Sequence, residues 1–424
     1  MRIRALWEFA KLSKVARAER ARDLRGELTG ERGLRRAVQA AVSWLCLAQD
    51  STPQKDGGVA HSYSLKEGRW LSSYPETTGY IIPTILQCAD ELQAPELSRR
   101  AKRMLDWLVS IQLAEGGFQG GTITARPVVP VAFNTGQILL GLASGVERFG
   151  SVYRQELIRA ADWLTRVQDE DGGWHKFRSP FTRGGNQAYD LHIAWGLFEA
   201  ARLEPTRGYE QAALNNVRWA LQYQHSNGWF DYCCLNDPLK PLTHTLGYAL
   251  RGLIEAYRFT SDRVVLDCAC RTADGLHSAL APDGFLPACL DRDWHGSTTW
   301  SCLTGTAQVA CCWLLLYQIT NRPVYRDSAY RANAYLRRTI QYSGYPDIVG
   351  GVKGSFPISG RYLPYAYPNW ACKFFIDANL LEYNVRRHQE RYDPTRMALQ
   401  SEPPVSPSSQ ALGISPFIST TVDT

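Results

Sequence analysis

Two kinds of helical segment alternate along the chain. One kind is amphipathic, as in Ala101–Gln112 (AKRMLDWLVSIQ), where apolar residues recur every three or four positions between charged ones. The other kind is apolar on most faces, as in Gln137–Ala143 (QILLGLA) and Gly247–Ala256 (GYALRGLIEA). An amphipathic helix covers a core from outside, whereas a helix that is apolar on most faces is buried. The alternation therefore predicts an outer and an inner layer of helices.

A short glycine turn recurs six times at nearly constant spacing. The six copies are Gly57-Gly58-Val59, Gly116-Gly117-Phe118, Gly172-Gly173-Trp174, Asn227-Gly228-Trp229, Asp283-Gly284-Phe285 and Gly350-Gly351-Val352. They lie 59, 56, 55, 56 and 67 residues apart. Each follows an amphipathic segment, and glycine favours helix ends because it adopts the left-handed C-cap conformation without strain. Six outer and six inner helices predict an all-α fold, a single (α/α)6 toroid of six helical hairpins.

The predicted domain organisation has three parts. Residues 1–32 form a basic, charged N-terminal helical segment, in which Lys and Arg are interleaved with Glu and Asp as on a solvated helix face. Residues 33–386 form the toroid, whose sixth unit carries a longer insert, Ser343–Pro368, rich in Gly, Tyr and Pro. Residues 387–424 form a C-terminal tail that is predicted to be disordered, because its Ser-, Pro- and Thr-rich end has no periodicity.

Composition narrows the class of protein. Apolar residues make up 45% and charged residues 21% of the chain, the balance of a soluble globular protein, and a net charge of +6 does not favour nucleic-acid binding. Adjacent cysteines, such as Cys311–Cys312, suit neither a disulfide framework nor a CxxC zinc site. Without a secretory signal or a bilayer-length apolar run, the sequence predicts a cytoplasmic protein with no membrane span.

Several motifs resemble those of known toroid families. Gln168–Trp174 (QDEDGGW) resembles the QW repeat of terpenoid cyclases and protein prenyltransferases, and Gln112–Phe118 is a second copy. The count of six hairpins is more similar to the six-hairpin glycosidase superfamily, which includes polysaccharide lyases, uronyl hydrolases and sugar epimerases. Ser73–Tyr80 (SYPETTGY) and Phe133–Gln137 (FNTGQ) resemble uncharacterised bacterial toroid proteins of polysaccharide gene clusters. The resemblance spans roughly residues 35–385 and bears on the fold more than on the reaction.

The sequence also departs from the motifs of several toroid enzymes. It lacks the Asp-x-Asp-Asp acid motif of type II terpene cyclases and the Asp-Asp-x-x-Asp motif of type I synthases. The Cys-His-Gly and Trp-Cys-Tyr-Gly zinc motifs of lanthionine cyclases are missing as well. These departures disfavour the corresponding activities.

Aligning the starts of the six inner helices brings polar residues into register. The third positions of the aligned triplets are Tyr80, Gln137, His192, Tyr248, Gln308 and Lys373. One turn earlier lie Glu76, Phe133, Ala188, His244, Thr304 and Asn369. In a toroid the N-termini of all inner helices meet at one end, where their free N–H groups and dipoles favour anionic groups. The register therefore predicts a polar pocket at that end.

The residues of this pocket suit a sugar, since aromatic faces stack on a pyranose and polar side chains bond its hydroxyls. The candidate catalytic residues are His192, His244, Tyr80, Tyr248 and Glu76. The candidate substrate-binding residues are Gln137, Gln308, Lys373, Asn369, Arg361, Trp70, Trp229, Tyr365, Asp190 and Asp293. No cofactor is predicted. An alternative zinc site would use Asp231, Cys233 and His244, which have the residue types of the prenyltransferase site, although the Asp-x-Cys pair here follows a glycine turn.

Two kinds of sugar chemistry fit these residues. Lyase or epimerase chemistry on a uronic acid needs a cation at the carboxylate, for which Lys373, Arg183 and Arg361 are candidates, and a base for the adjacent carbon. Glycoside hydrolysis needs two carboxylates flanking one bond, and Glu76 and Asp190 are among the candidates. The mix of Tyr, His and Lys favours the first kind.

The sequence thus predicts a carbohydrate-active enzyme of bacterial polysaccharide metabolism that acts on an acidic saccharide, as a lyase or C5-epimerase or as a hydrolase. Two alternatives stay open. An isoprenoid-handling toroid would have an apolar, aromatic-walled cavity, and a non-catalytic glycan-binding protein would have the same cleft without turnover. The sequence leaves the sugar, its linkage and the oligomeric state open.

Overall fold

The structure is a computed structural model that describes residues 12–180, 182 and 186–391, with side chains described up to residue 389. The chain divides into two compact units, residues 1–383 and 384–424. The described part of the second unit is the end of the last helix, and most of the predicted tail, residues 392–424, lies outside the described residues. Residues 1–11 of the predicted N-terminal segment and Arg183, a candidate carboxylate clamp, also lie outside them.

Thirteen α-helices make up most of the described residues, beginning with the short helix α1 (Lys14–Leu24). The outer helices are α2 (Leu34–Asp50), α4 (Pro95–Ile111), α6 (Arg154–Arg166), α8 (Tyr209–Leu221), α10 (Arg263–Ser278) and α12 (Pro323–Thr339). The inner helices are α3 (Pro75–Glu91), α5 (Ala132–Phe149), α7 (Leu191–Leu203), α9 (Thr243–Thr260), α11 (Leu303–Thr320) and α13 (Asn369–Arg391). In the part of the chain that is described, none of these helices combines the length and the apolar character of a membrane span.

The inner helices form a closely packed ring. Successive inner helices pack side by side from α3 to α11. Glycine permits this close approach, since a Cβ atom at Gly196 would lie only 2.3 Å from the carbonyl oxygen of Gly136 on the neighbouring helix. The ring closes between α13 and α3, where Thr84 Oγ1 donates a hydrogen bond to Asp377 Oδ1 at 2.5 Å. The predicted all-α toroid of six helical hairpins is confirmed.

Short strands join the first inter-helix loop to the insert of the sixth unit. The strands are β1 (Ser62–Ser64), β2 (Arg69–Trp70), β3 (Ser301–Cys302), β4 (Ser355–Phe356) and β5 (Ala366–Pro368). They form an antiparallel sheet in the order β2-β1-β5 and a separate antiparallel pair β3-β4. Tyr63 lies opposite Tyr367 in the first sheet. These pairings hold the insert against the end of the ring at which the inner helices begin.

Helix α1 is fixed to the same insert through buried charges. Lys353 Nζ lies 2.5 Å from Asp23 Oδ1 and 3.2 Å from Glu19 Oε2. Asp23 Oδ2 also accepts a hydrogen bond from the backbone N–H of Ile358 at 2.8 Å, and Glu19 Oε2 accepts one from the Tyr367 hydroxyl at 3.0 Å. The sequence predicts a solvated helix face here, whereas the structure buries both acids. Their charge is compensated by Lys353 and by Arg22, whose guanidinium lies 2.8 Å from Glu19 Oε2, and these pairings offset the cost of removing the acids from water.

The glycine-turn repeat has a common hydrogen-bond pattern. A glutamine at the end of each of four outer helices (Gln49, Gln112, Gln168 and Gln224) donates its side-chain amide to the next outer helix. Gln168 Nε2, for example, bonds the carbonyl oxygen of Ala212 in α8 at 2.9 Å and that of Gly172 in its own turn at 3.1 Å. In three of the four copies, those of Gln49, Gln112 and Gln168, the amide thereby ties the glycine turn to the next hairpin.

Replacing Gln168 by Ala is expected to destabilise the fold by about 1–3 kcal/mol, because two part-buried carbonyl oxygens lose their donor. Chemical denaturation followed by circular dichroism measures this loss. Gln211→Ala is the matched control, since Gln211 is exposed on α8 and bonds only Asn215 within the same helix at 2.8 Å. The control is expected to change stability by less than about 0.5 kcal/mol. Equal effects of the two substitutions would contradict the bridging role.

Candidate active site

A cavity of about 260 Å³ lies at the end of the ring where the inner helices begin. The first two turns of four inner helices supply part of its wall, with Glu76, Thr77, Tyr80, Phe133, His244, Tyr248 and Trp370. The connecting loops supply the rest, with His61, Tyr74, Ser179, Tyr189, Leu235, Tyr362 and Leu363. The predicted pocket therefore has a counterpart in the structure, although nine of its side chains are aromatic rings or imidazoles, so it is less polar than the register alone predicts.

Glu76 is the one carboxylic acid among the described residues that line this cavity. Its side chain is buried, and Oε2 accepts a hydrogen bond from the Tyr74 hydroxyl at 2.8 Å. Burial raises the pKa of Glu76 to about 7, although the hydrogen bond from Tyr74 acts in the opposite direction. A carboxyl group with this pKa is present in both protonation states near neutral pH, which suits a general acid or base.

His244 faces the same cavity in a fixed tautomer. Its Nδ1 lies 2.6 Å from Oε1 of Gln308, and an amide oxygen can only accept, so Nδ1 carries the proton and Nε2 keeps its lone pair. Burial lowers the pKa of His244 to about 4, although the hydrogen bond with Gln308 acts in the opposite direction. The imidazole is therefore neutral at pH 7, and its Nε2 lone pair can accept a proton, although the same burial makes it a weaker base than an exposed imidazole.

His192 forms a second pair of the same kind. Its Nδ1 lies 2.6 Å from Oε1 of Gln137, and its Nε2 has no hydrogen-bond partner among the described residues. The ring packs 4.6 Å from that of Tyr248 instead of lining the cavity. Burial, together with the nearby charge of Arg251, lowers the pKa of His192 well below its ordinary value. His192 thus supports the cavity wall from behind.

Two phenols meet across the middle of the ring. Helices α3 and α9 are the first and fourth of the six inner helices, so their residues face each other. Tyr80 on α3 and Tyr248 on α9 share a side-chain hydrogen bond, and burial raises the pKa of both phenols well above the ordinary value. Both are therefore neutral hydrogen-bonding groups at the cavity floor. The same opposition places Glu76 and His244 on opposite walls.

Lys373 lies below this floor and already has a partner. Its Nζ lies 2.6 Å from Asp377 Oδ2 and 5.1 Å from the centre of the Tyr80 ring. Burial lowers the pKa of Lys373, although the neighbouring Asp377 acts in the opposite direction. Lys373, predicted to bind the substrate carboxylate, therefore forms an ion pair with Asp377 four residues later on the same helix. Gln137 and Gln308, the other candidates in register, are paired with the two histidines.

Other candidates pack loops onto the ring, away from the cavity. Trp70 donates its indole N–H to Asp347 Oδ1 at 2.8 Å and contacts Trp44, with ring centres 5.2 Å apart. The indole of Trp229 packs against that of Trp294, with centres 5.4 Å apart. The rings of both residues are therefore packed in the protein interior. The sequence pattern alone does not distinguish such a buried aromatic residue from one that lines a ligand pocket.

The remaining polar candidates are spread over several places. The side-chain amide of Asn369 donates to the carbonyl oxygen of Ala60 at 2.9 Å. Asp190 does not line the cavity, and burial raises its pKa to about 8. Tyr365 lies with its ring centre 5.3 Å from Lys66 Nζ, and Asp293 lies in an exposed loop. Arg361 lines a second cavity that adjoins the first.

The residues of the alternative zinc site have other partners. Asp231 Oδ2 lies 2.7 Å from His225 Nε2, the Cys233 thiol donates to the Thr245 carbonyl oxygen at 3.3 Å, and His244 is paired with Gln308. Within the described ranges, the set of potential ligands close enough to share an ion is Asp291, Asp293 and His295, in a largely exposed loop. The structure therefore does not bring the three predicted ligands together.

Sequence reasoning missed several residues of the cavity. His61, Tyr189, Leu235 and Trp370 line it without appearing among the candidates. The ring of His61 meets that of Trp370 edge to face at 4.7 Å, and burial lowers the pKa of His61 to about 4. Trp370 directly follows the aligned residue Asn369, so the register itself contained a signal for it. His61 and Leu235 lie in loops, where no periodicity marks their direction.

Comparisons with known proteins concern mainly the fold. No protein-family model matches the chain. A terpene cyclase–glycosyl transferase fusion protein from Humicola fuscoatra is 24% identical over 214 residues, and the match covers 44% of this chain. The chain spans only 15% of the length of that relative.

Solved structures of similar fold cover most of the chain. An unsaturated glucuronyl hydrolase specific for heparin has a TM-score of 0.67 and 15% identity, covering 84% of this chain and 99% of its own. An unsaturated glucuronyl hydrolase from Bacillus sp. GL1 has a TM-score of 0.63 and 15% identity, covering 83% and 98%. A D-mannose isomerase has a TM-score of 0.63 and 12% identity, covering 83% and 97%. The predicted resemblance to six-hairpin glycosidase-like toroids is confirmed at the level of the fold.

The raised pKa of Glu76 predicts a pH-dependent stability difference. Because the folded protein binds this proton more tightly than the unfolded chain, stability falls as the pH rises from about 4.5 to above 7. Glu76→Gln keeps a neutral group that accepts from Tyr74 and removes this loss. The variant is expected to gain about 3 kcal/mol over the wild type between pH 4 and pH 8. Urea denaturation at both pH values measures it.

Glu115→Gln, in an exposed turn, is the matched control and should show no such gain. A difference between the Glu76 variant and the wild type that is the same at pH 4 and pH 8 would contradict the buried, protonated carboxyl group.

Proposed function

We propose that this protein is a carbohydrate-active enzyme that moves a proton at a carbon of an acidic saccharide, in the manner of a C5-epimerase or lyase. The observation that carries the proposal is the opposition of Glu76 and His244 across one cavity. One wall holds a carboxyl group with a pKa of about 7, and the other holds a neutral imidazole whose Nε2 carries no proton. An acid and a base on opposite faces of a bound ring are the groups that such chemistry requires.

In the proposed step, His244 Nε2 takes the proton from the carbon next to the substrate carboxylate. The electron pair of the broken C–H bond is delocalised into that carboxylate, with the Tyr248 hydroxyl, which accepts from Tyr80 and keeps its own proton, as the hydrogen-bond donor. Glu76 then donates its proton. Delivery to the opposite face of the same carbon gives the epimer, and delivery to the departing glycosidic oxygen on the next carbon gives an unsaturated sugar.

The size and the walls of the cavity support a saccharide. Its volume of about 260 Å³ lies a little below the roughly 300–1,000 Å³ of pockets for drug-sized ligands, which suits a single sugar ring. Trp370, Tyr362 and Tyr74 provide flat faces for that ring. The glucuronyl hydrolases and the mannose isomerase of similar fold act on sugars, as their names state.

Hydrolysis by a pair of carboxyl groups has less support. Glu76 is the one carboxyl group that lines the cavity among the described residues, and Asp190 is buried outside its lining. A glycosidase of the usual type needs a second carboxylate within about 5–10 Å of the first, on the other side of the scissile bond. Histidine-based proton transfer therefore fits the site better than two-carboxylate hydrolysis.

An isoprenoid substrate is the second candidate, and the aromatic wall favours it. Nine rings surround one buried acid, an arrangement that also suits the stabilisation of a carbocation by π-faces. The partial match to a terpene cyclase fusion protein is consistent with this alternative. The lack of the acid motifs of terpene cyclases counts against it.

Turnover is best followed by proton NMR in deuterated water, with the purified protein and a panel of acidic and neutral bacterial polysaccharides. Deuterium at the carbon next to a uronate carboxylate is the result expected of an epimerase, and vinylic signals are the result expected of a lyase. New reducing ends without either signal would replace the proposal by hydrolysis. No change with any glycan, together with conversion of an isoprenoid diphosphate, would overturn it in favour of the second candidate.

Substitution separates catalysis from binding at the same site. Glu76→Gln and His244→Ala are each expected to lower turnover by about 10²–10⁴-fold, because each removes a proton-transferring group. Saccharide affinity, measured by calorimetry, should change much less. His295→Ala, in an exposed loop, is the matched control and should keep full turnover. Turnover that survives both cavity substitutions would exclude the proposed pair.

A further inference from the structure

A second, larger cavity adjoins the first. Its volume is about 530 Å³, and the two cavities share Leu235 and Tyr362 in their walls. Tyr362 is held in place because its hydroxyl accepts a hydrogen bond from the indole N–H of Trp370 at 2.8 Å. Its ring centre lies 5.4 Å from that of His244. A ligand that passes Tyr362 would therefore extend from the candidate catalytic histidine into the second cavity.

The second cavity carries two available cations. Arg361 and Lys240 both line it, and neither side chain has a hydrogen bond or ion pair with any of the described residues. Asp237 is the one carboxylate in the described lining, and its Oδ1 accepts the backbone N–H of Leu239 at 3.0 Å within its own loop. Among the described residues of this cavity, the positive charge is therefore in excess. Such a site favours a ligand with negative charge.

The other groups of this cavity suit hydroxyl-rich ligands. Asn236, Ser297 and Thr298 bring an amide and two hydroxyls, and Trp300 brings an aromatic face. The hydroxyls of Ser297 and Thr298 donate to backbone carbonyl oxygens at 3.1 and 3.0 Å, and Thr298 Oγ1 also accepts from the backbone N–H of Cys289 at 3.3 Å. Each hydroxyl oxygen has two lone pairs and therefore keeps at least one to accept from a ligand. Hydroxyl donors and an anionic group together are the features of an acidic sugar.

We propose that the second cavity is a subsite for at least one further acidic sugar of the same chain, whose carboxylate or sulfate is held by Arg361 and Lys240. This inference rests on the proposed function, and it makes the substrate an acidic oligosaccharide, with the reacting ring beside His244 and the next ring beyond Tyr362. Arg361 was predicted as a clamp for the reacting sugar, and the structure assigns it to the neighbouring ring.

Binding to the Glu76→Gln variant tests the subsite without turnover. The probes are a linear trimer of uronic acids and the single uronic acid, titrated calorimetrically at low and at physiological salt. Arg361→Gln, added to this variant, is expected to weaken trimer binding by about tenfold, the effect of losing a charge-assisted hydrogen bond. Affinity for the single sugar should change less than about twofold, since that sugar occupies the first cavity. Lys240→Gln should act in the same direction.

Arg263→Gln is the matched control, because Arg263 is exposed at the start of α10. Equal trimer affinity with and without Arg361, in a variant whose thermal unfolding is unchanged, would overturn the subsite. Dependence on Arg361 for an isoprenoid diphosphate but not for the trimer would overturn its assignment to a sugar. If the trimer depends on Arg361 while the wild type gives no NMR change with any glycan, the subsite stands and the proposed reaction fails.

Discussion

The side-chain amide of one glutamine in each of four units is the interaction on which the ring depends. It ties the end of an outer helix to the next outer helix, and in three of the four copies also to its own glycine turn, as Gln168 does with Gly172 and Ala212. A turn fixed in this way sets where the following chain re-enters the ring. Repetition of this geometry in four units helps to bring the N-termini of the inner helices to one end of the ring, where the cavity lies.

The chemistry of the cavity follows from the removal of water. Burial acts on acids and on imidazoles in opposite directions, raising the pKa of Glu76 to about 7 and lowering that of His244 to about 4. At pH 7 the imidazole is then neutral, and the carboxyl group is divided between its two protonation states. The ion pair of Lys373 and Asp377 lies beneath the cavity floor. Arg361 and Lys240, whose side chains have no partner in the described part of the chain, lie beyond Tyr362.

The fold was predictable because its determinants are periodic, and the site was predictable only where it shares that periodicity. Glu76, Tyr80, His244 and Tyr248 line the cavity as the aligned helix starts predict. Loop residues such as His61 are positioned by the pairing of β1 with β5, a long-range contact without a local signal. The pairing of Lys373 with Asp377 was visible in principle, since residues four apart on a helix are neighbours. Trp70 and Trp229 show that the sequence position of an aromatic residue near the end of the ring is equally compatible with burial in the core and with lining a ligand pocket.

The contact between α1 and the insert constrains the order in which parts of the protein fold during synthesis. Asp23 and Lys353 are 330 positions apart, and the insert that Lys353 anchors carries both Tyr362 and Arg361. During synthesis, five hairpins emerge and can pack before the wall between the two cavities exists. Asp23 lacks its Lys353 partner until the last unit has been synthesised. Completion of the wall between the two cavities is thus among the last events of folding, because it needs a contact between residues 330 positions apart.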